Sequence, residues 1–243
     1  MLIKMKRERS HTEDRYLAVW LATAAGLLNA MALGAFGFFP SHMSGNTSQL
    51  SSEVNHTDLR DLTFLAALLA AFVSGAVCAR LAVIAGMKNN LRTIFCIVLT
   101  LEGAALLLMS LFEILFYSAK NNREVLVLMG FLMGVHNSTS TQLSNGRVRS
   151  THITGTLTDA GIALASVLSA VLRRDPSKDQ IAQKKQLKTH LTTIFSFLCG
   201  GIAGLWLFGL YGFYAMAVLG LILMLLAITS MSLTVRRVRG SVL

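Results

Sequence analysis

Apolar residues run in long blocks broken by short polar gaps. Nearly charge-free stretches cover 16–39, 62–83, 92–117, 125–143, 191–209 and 212–235. A membrane-crossing helix needs about 20 mostly apolar residues, so each stretch predicts one span. The segment 189–235 contains no Asp, Glu, Lys or Arg. It is long enough for two helices and predicts a break near Gly209, Leu210, Tyr211 and Gly212. A seventh apolar segment, 153–172, is ambiguous.

Composition points the same way. Hydrophobic residues make up 53% of the 243, charged residues 14%, and the mean hydropathy is +0.59. A soluble domain carries roughly 25% charged residues, so this chain cannot cover a solvated surface. A disordered chain, a disulfide-stapled secreted domain and an ordinary cytosolic enzyme are excluded. The net charge of +10 would suggest nucleic acid in a soluble protein. Here the basic residues lie in the gaps, where topology explains them. With six spans and a cytoplasmic N-terminus, only Arg60, Lys120 and Arg123 of the 22 Lys and Arg fall outside, as the positive-inside rule requires. A full crossing by 153–172 would move the basic cluster 173–188 to the far side and erase most of that bias. The segment is therefore expected either to enter and leave on the cytoplasmic side or to lie as a half-helix packed within protein. Both termini are then cytoplasmic.

The N-terminus has Lys4, Lys6, Arg7 and Arg9 before the run 16–39, with Ala30-Met31-Ala32 resembling a cleavage site. The run exceeds the roughly 7–15 residues of a signal-peptide core and is read as an uncleaved first span. Cys78, Cys96 and Cys199 lie inside apolar runs without metal-ligand spacing and read as small buried hydrophobes. No metal and no cofactor are expected.

The chain repeats itself. Ser41-His42-Met43-Ser44-Gly45 matches Thr151-His152-Ile153-Thr154-Gly155 position by position. Upstream, Gly26-Leu27-Leu28-Asn29-Ala30 matches Gly134-Val135-His136-Asn137-Ser138. Downstream, Phe72-Val73-Ser74-Gly75 matches Phe197-Leu198-Cys199-Gly200. Each half holds three spans, an odd number, so the second half enters the membrane upside down. The fold class expected is an all-α polytopic membrane protein: six transmembrane helices in two inverted-topology repeats of three, each with a re-entrant or half-helix motif segment. Such repeats are characteristic of transporters and channels, with sites near the midplane. The organisation expected is a basic cytoplasmic N-terminus (1–15), repeat 1 (16–117), a short external linker (118–124), repeat 2 (125–235) and a basic cytoplasmic C-terminus (236–243).

On these motifs the chain resembles the YoaK-like family of bacterial inner-membrane proteins, defined by a domain of unknown function. Members carry Met-Thr-Gly-Asn after the first span, here Met43-Ser44-Gly45-Asn46. They carry Thr-Gly-Thr-Leu-Thr-Asp in the second half, here Thr154-Gly155-Thr156-Leu157-Thr158-Asp159. The chain departs from the pattern at Asn29, where members often have Asp, and at His136, where they often have Gln. The first departure bears on any proton-carrying role at position 29. The resemblance implies a multi-pass protein of the bacterial inner membrane and supplies no substrate.

The residues that can carry chemistry gather around the repeats. Asn29 and Asn137 lie about 13 residues, or roughly 20 Å, into their spans. An amide there needs a partner or a cavity: either the pair makes interhelical hydrogen bonds or it serves a site. Gly45 and Gly155 allow a tight turn or close approach. Ser44, Asn46, Thr47, Thr154, Thr156 and Thr158 can cap the following helices, or leave uncapped amides that attract electronegative groups. Asp159, in the first turns of the second motif helix, is a cap or a cation or proton site. His42 and His152 recur at one motif position, and without further ligands hydrogen bonding suits them better than a metal. The polar run from His136 to Gln142 either lines a water-accessible cytoplasmic path or is buried against the second motif; the path is the favoured reading. Glu102 sits about 10 residues, roughly 15 Å, into its span. An ionised acid there costs about 2.5–3.5 kcal/mol, which makes it the proton-coupling candidate. Glu113 and Arg80, near span ends, are expected to snorkel.

The function expected is that of a small-solute transporter or channel with a midplane site between the two motifs. The alternatives are a membrane-embedded enzyme, for which no nucleophile–base or metal constellation is found, and a structural or assembly protein. The partners implied are the lipid bilayer and a small solute or ion, with a homo-oligomer compatible. Nucleic acid is excluded because the basic segments are short and lack interleaved aromatics. Labelling of Arg7→Cys and Lys184→Cys variants tests the orientation: both cysteines should react from one side of the membrane, and reaction from opposite sides would exclude the arrangement.

Overall fold

The computed structural model describes residues 11–56, 59–91, 93–118, 122–173 and 178–240. Lys4, Lys6, Arg7, Arg9, Arg92, Lys120 and Arg174, on which part of the orientation count rests, lie outside them. The described residues form eight helices: α1 His11–Phe36, α2 Met43–His56, α3 Leu59–Lys88, α4 Ile94–Phe116, α5 Asn122–Leu143, α6 Ile153–Arg173, α7 Lys178–Tyr211 and α8 Phe213–Gly240. The break expected near Gly209–Gly212 falls at Gly212, whose φ of +55° suits a residue without a Cβ. Its amide donates to the Phe208 carbonyl at 2.7 Å, closing α7.

Six helices are long and apolar enough to cross a membrane: α1, α3, α4, α6, α7 and α8. This is a multi-pass membrane protein. The set differs from the sequence expectation in two places. Helix α5 is absent from it because its second half is polar. Helix α6, expected as a re-entrant or half-helix segment, is one unbroken helix of 21 residues. Nothing between Gly161 and Arg173 breaks it, since that stretch holds neither Pro nor Gly. The first motif helix, α2, has only 14 residues and is rich in Ser, Asn and Thr. The two motif segments therefore differ in length.

Two buried clusters show how the helices run. One gathers Leu28 and Met31 of α1, Leu106 and Met109 of α4, Val125 to Met133 of α5, and Met216 to Leu223 of α8. The other gathers Leu17 and Leu21 of α1, Ala79 and Val83 of α3, Phe95 to Leu99 of α4, Val135 and Leu143 of α5, and Ala227 of α8. Passing from the second cluster to the first, residue numbers rise in α1 and α4 and fall in α5 and α8. Thus α1 and α4 run one way and α5 and α8 the other.

Glycines set the tightest contacts. A Cβ on Gly26 would overlap the Phe197 carbonyl, and one on Gly200 or Gly204 would overlap the Thr23 or Leu27 carbonyl. Numbers rise together, so α1 and α7 are parallel. A Cβ on Gly134 would overlap the Phe72 carbonyl and one on Gly75 the Phe131 carbonyl, and Gly130 lies against Leu68. Helices α3 and α5 are likewise parallel. Helices α4 and α8 cross antiparallel where Gly103 and Gly220 each face the other's carbonyl. Contacts also join α2 to α3 and α6 to α7. This set of helix pairs is unchanged when α1–α4 are exchanged for α5–α8. Lipid tails are as apolar as leucine, so close van der Waals approach through small residues is what binds such helices. The outer faces of α3, α4, α6, α7 and α8 expose many large apolar side chains, among them Leu81, Leu108, Leu168, Trp206 and Leu225. They supply the surface that lipid covers.

Gly134→Ala should destabilise the protein by about 1–3 kcal/mol, because a carbonyl cannot rotate out of the new methyl group's way. Gly161→Ala, with open space around it, should be neutral or gain up to about 1 kcal/mol from helix propensity. Thermal unfolding in detergent distinguishes the two.

Candidate functional site

The two pentapeptides fold alike. In each, the amide of the third residue donates to the carbonyl of the first: Met43 to Ser41 at 3.0 Å and Ile153 to Thr151 at 3.1 Å. The first intrahelical bonds follow, from Asn46 to the His42 carbonyl at 2.9 Å and from Thr156 to the His152 carbonyl at 3.1 Å. The amides of Ser44, Gly45, Thr154 and Gly155 therefore stand ahead of the helical ladder, where a helix offers donors. The glycines are helical and do not form turns, since neither is among the positive-φ residues. A Cβ on Gly45 would overlap the His42 ring, and one on Gly155 would press on the His152 ring at 2.7 Å. Each glycine lets the motif histidine fold back across the first turn of its own helix, which explains the spacing of His and Gly.

A cavity of about 540 Å³ lies between the motifs. Its wall is made of matched positions: Asn29 and Asn137, Ser41 and Thr151, His42 and His152, Met43 and Ile153, Ser44 and Thr154, Phe72 and Phe197, with Phe39 in addition. Helix ends, imidazoles, amides and hydroxyls give it hydrogen-bonding groups, and the two phenylalanines give it apolar walls. No Asp, Glu, Lys or Arg lines it. Among the described residues no three of His, Cys, Asp and Glu come together as metal ligands would.

The two asparagines are used differently. Asn29 Oδ1 accepts from the Ser41 amide at 3.1 Å and the Ser41 hydroxyl at 2.7 Å, pinning the first motif to α1. Asn137 Oδ1 is buried without a hydrogen bond. One amide is thus tied to a motif, and the other keeps its oxygen open.

The structure brings six of the expected site residues to the cavity: Asn29, His42, Ser44, Asn137, His152 and Thr154. Gly45 and Gly155 pack beneath the histidines. Asn46 Nδ2 donates to the Phe39 carbonyl at 3.4 Å. Thr47, Thr156 and Thr158 are not caps: each hydroxyl donates to the carbonyl four residues back. Asp159 is exposed, off the cavity wall, and acts electrostatically on His190. His136 and Glu102 form a buried pair away from the cavity wall, with Nδ1 and Oε1 at 2.6 Å.

Within the polar run of α5, Asn137 lines the cavity, whereas Ser138, Thr139, Ser140 and Gln142 are bonded to other protein groups. Thr139 and Ser140 are fully buried and bond to the carbonyls of Val135 and Asn137. Ser140 also meets the Ser150 hydroxyl at 3.0 Å. Ser138 donates to the Ala76 carbonyl of α3, and Gln142 bridges Ser138 and Arg80. Hydroxyls so satisfied are packing groups. Glu113 does not snorkel: it is 3% exposed. The sequence reading gave no site role to Phe39, Ser41, Met43, Phe72, Thr151, Ile153 or Phe197, although the matched pentapeptides marked Ser41, Met43, Thr151 and Ile153 and the matched tetrapeptides marked Phe72 and Phe197.

Asn29→Leu would leave the Ser41 amide and hydroxyl without their acceptor, a loss of about 1–3 kcal/mol. Asn137→Leu, which breaks no bond of the amide oxygen, should cost clearly less. Equal losses in thermal unfolding would show that the two amides are equally engaged.

No curated protein and no solved structure matches the chain. One family model does, described as a protein of unknown function (DUF1275), over residues 17–229. The match takes in both motifs, both asparagines and the whole cavity wall. The chain belongs to the DUF1275 family.

Proposed function

We propose that the protein is a small-solute transporter or channel whose site is the cavity between the two motifs. The observation that carries this reading is the cavity's wall, in which six positions of one half meet the same six of the other. A binding protein or enzyme has no need to build its pocket twice. A pathway that opens in turn to the two faces of a bilayer does, if its halves are inverted copies.

The helix directions support inverted copies. The self-paired helices α4 and α8 cross antiparallel at Gly103 and Gly220, so a two-fold axis relating them lies across the helices, in the plane of a bilayer. In this arrangement α1, α4 and α7 run one way and α3, α5 and α8 the other. Helices α2 and α6 then each run from the cavity to the face where α3 or α7 begins, which keeps the basic residues from Lys184 to Lys188 beside the N-terminus. Despite its polar half, α5 passes through the bilayer shielded by α1, α3 and α4. With the YoaK-like resemblance, this supports a reading of the protein as one of a bacterial inner membrane with both termini cytoplasmic. The two motif helices point their electropositive starts at the solute, and the solute bears an electronegative group that accepts from amides and hydroxyls.

A thermal-shift screen of detergent-purified protein against a small-solute library tests the site. A bound solute raises the unfolding temperature by mass action. At least one hit is expected, and it should be lost in Asn137→Leu and Gly155→Leu variants that still fold. Variants that keep every shift would exclude this cavity.

A further inference from the structure

We infer that Glu102 and His136 form a proton-exchange site in the helix core, able to gain one proton beyond the one they share. The two side chains are each 1% exposed, with Oε1 and Nδ1 at 2.6 Å. His136 Nε2 lies 2.9 Å from the Leu21 carbonyl. A carbonyl only accepts, so Nε2 carries a hydrogen. One proton then occupies the Nδ1–Oε1 contact. The pair is either acid and imidazole or carboxylate and imidazolium, and both are neutral overall. Removing that proton would set a lone pair against a carboxylate. Adding one has a ready place, because Glu102 Oε2 is buried with no hydrogen bond. A proton delivered by water to Oε2 gives a carboxylic acid beside an imidazolium, with Nδ1–H donating to Oε1, and the site gains one positive charge. Release to water restores the neutral pair.

The protein carries its own control for packing. Exchanging the halves takes His136 to Leu28, by the Gly26 and Gly134 segments, and Glu102 to Leu219, by the Gly103 and Gly220 crossing. Leu28 and Leu219 lie together in one buried cluster. The fold therefore fills this place with two leucines on one side and a titratable pair on the other. Burying such a pair is commonly neutral or unfavourable against an apolar replacement, so packing does not account for it. In the neighbouring helices, α1 offers Asp14, held by Arg147 at 2.6 Å, and α3 offers Arg80, bonded to Gln142. Helix α4 adds Cys96 and, about three turns on, Glu113. Helix α8 has only Tyr214 among the ionisable types between Phe213 and Leu233. None of these is hydrogen-bonded to the pair. The residue after His136 is Asn137 of the cavity wall, so a charge gained here acts one residue from the solute's site. That coupling rests on the transport reading; the proton site does not.

Infrared spectroscopy of the reconstituted, solute-free protein tests it. On acidification a protonated-carboxyl band should rise from a carboxylate–imidazolium pair, or shift in an acid–imidazole pair, and revert on return; it should move in Glu102→Asp and vanish in Glu102→Gln. No reversible band that Glu102→Asp moves would overturn the proposal. The Glu102→Leu/His136→Leu double variant, which copies the other half, should unfold at or above the wild-type temperature, whereas each single leucine variant should unfold below it. A double variant less stable than either single one would make the pair a packing element and overturn its reading as an exchange site. Because no solute is present, these results stand whatever the thermal-shift screen finds.

Discussion

Backbone-to-backbone contact at glycine is the constraint on which the rest of this structure depends. Between helices that share a lipid solvent, burial of apolar surface gives little preference for one partner over another. What selects α7 for α1 and α5 for α3 is that Gly26, Gly200 and Gly204, and Gly75, Gly130 and Gly134, leave room for the partner's chain. Those two parallel pairs determine where α1 and α5 end. The motifs leave from those ends, so the same glycines bring His42 and His152 to one cavity. Phe72 and Phe197 enter the wall for the same reason: their carbonyls are the atoms that Gly134 and Gly26 accommodate.

What could be read from the sequence was what local chemistry determines. The helix-rich fold, the break at Gly212 and the kinship of the two pentapeptides are statements about neighbours in the chain. Six of the motif and amide residues did reach the cavity. What could not be read depended on partners distant in sequence. The run from Ser138 to Gln142 looks the same whether it faces water or packs, because a helical serine or threonine can satisfy itself on the preceding turn. Glu113 looked like a residue near a span end, and its burial is set by helices that its own sequence does not name. Helix α6 was expected to re-enter or to form a half-helix because of the charge on either side of it; the stretch after Gly161 holds no breaker, so the segment carries no re-entrant turn and is one unbroken helix. The spaced glycines at Gly130 and Gly134 and at Gly200 and Gly204 were visible as patterns; which helix each pair would meet was not.

The polar groups inside the helices follow a simple economy. Most hydroxyls return to their own helix, as Thr139, Ser110 and Thr193 do. Asn29 is occupied by Ser41. The buried oxygens left over include those of Asn137 and Glu102. An unsatisfied buried oxygen carries a desolvation cost of about 1–3 kcal/mol, which a stable fold tolerates only where something else relieves it. At Asn137 a cavity large enough for a small solute is adjacent. At Glu102 the inferred second proton would relieve it without a cavity.

The near-symmetry of the scaffold makes its departures informative. If the two halves were interchangeable in function, Asn29 and Asn137 would be engaged alike, and the apolar core that holds Leu28 and Leu219 would be repeated where Glu102 meets His136. Instead the first half has its amide locked to its own motif and an apolar core beside it. The second half has a free amide and a titratable core. On the proposed transport reading, matched halves would present the cavity to the two faces by one geometry, while the groups packed beside it differ between the halves. A proton gained by Glu102 and His136, as inferred above, would stand beside Asn137 and not beside Asn29. The geometry of the cavity wall is shared by the two halves, and the chemistry beside it, at Asn29 and Asn137 and at Leu28 and His136, is not.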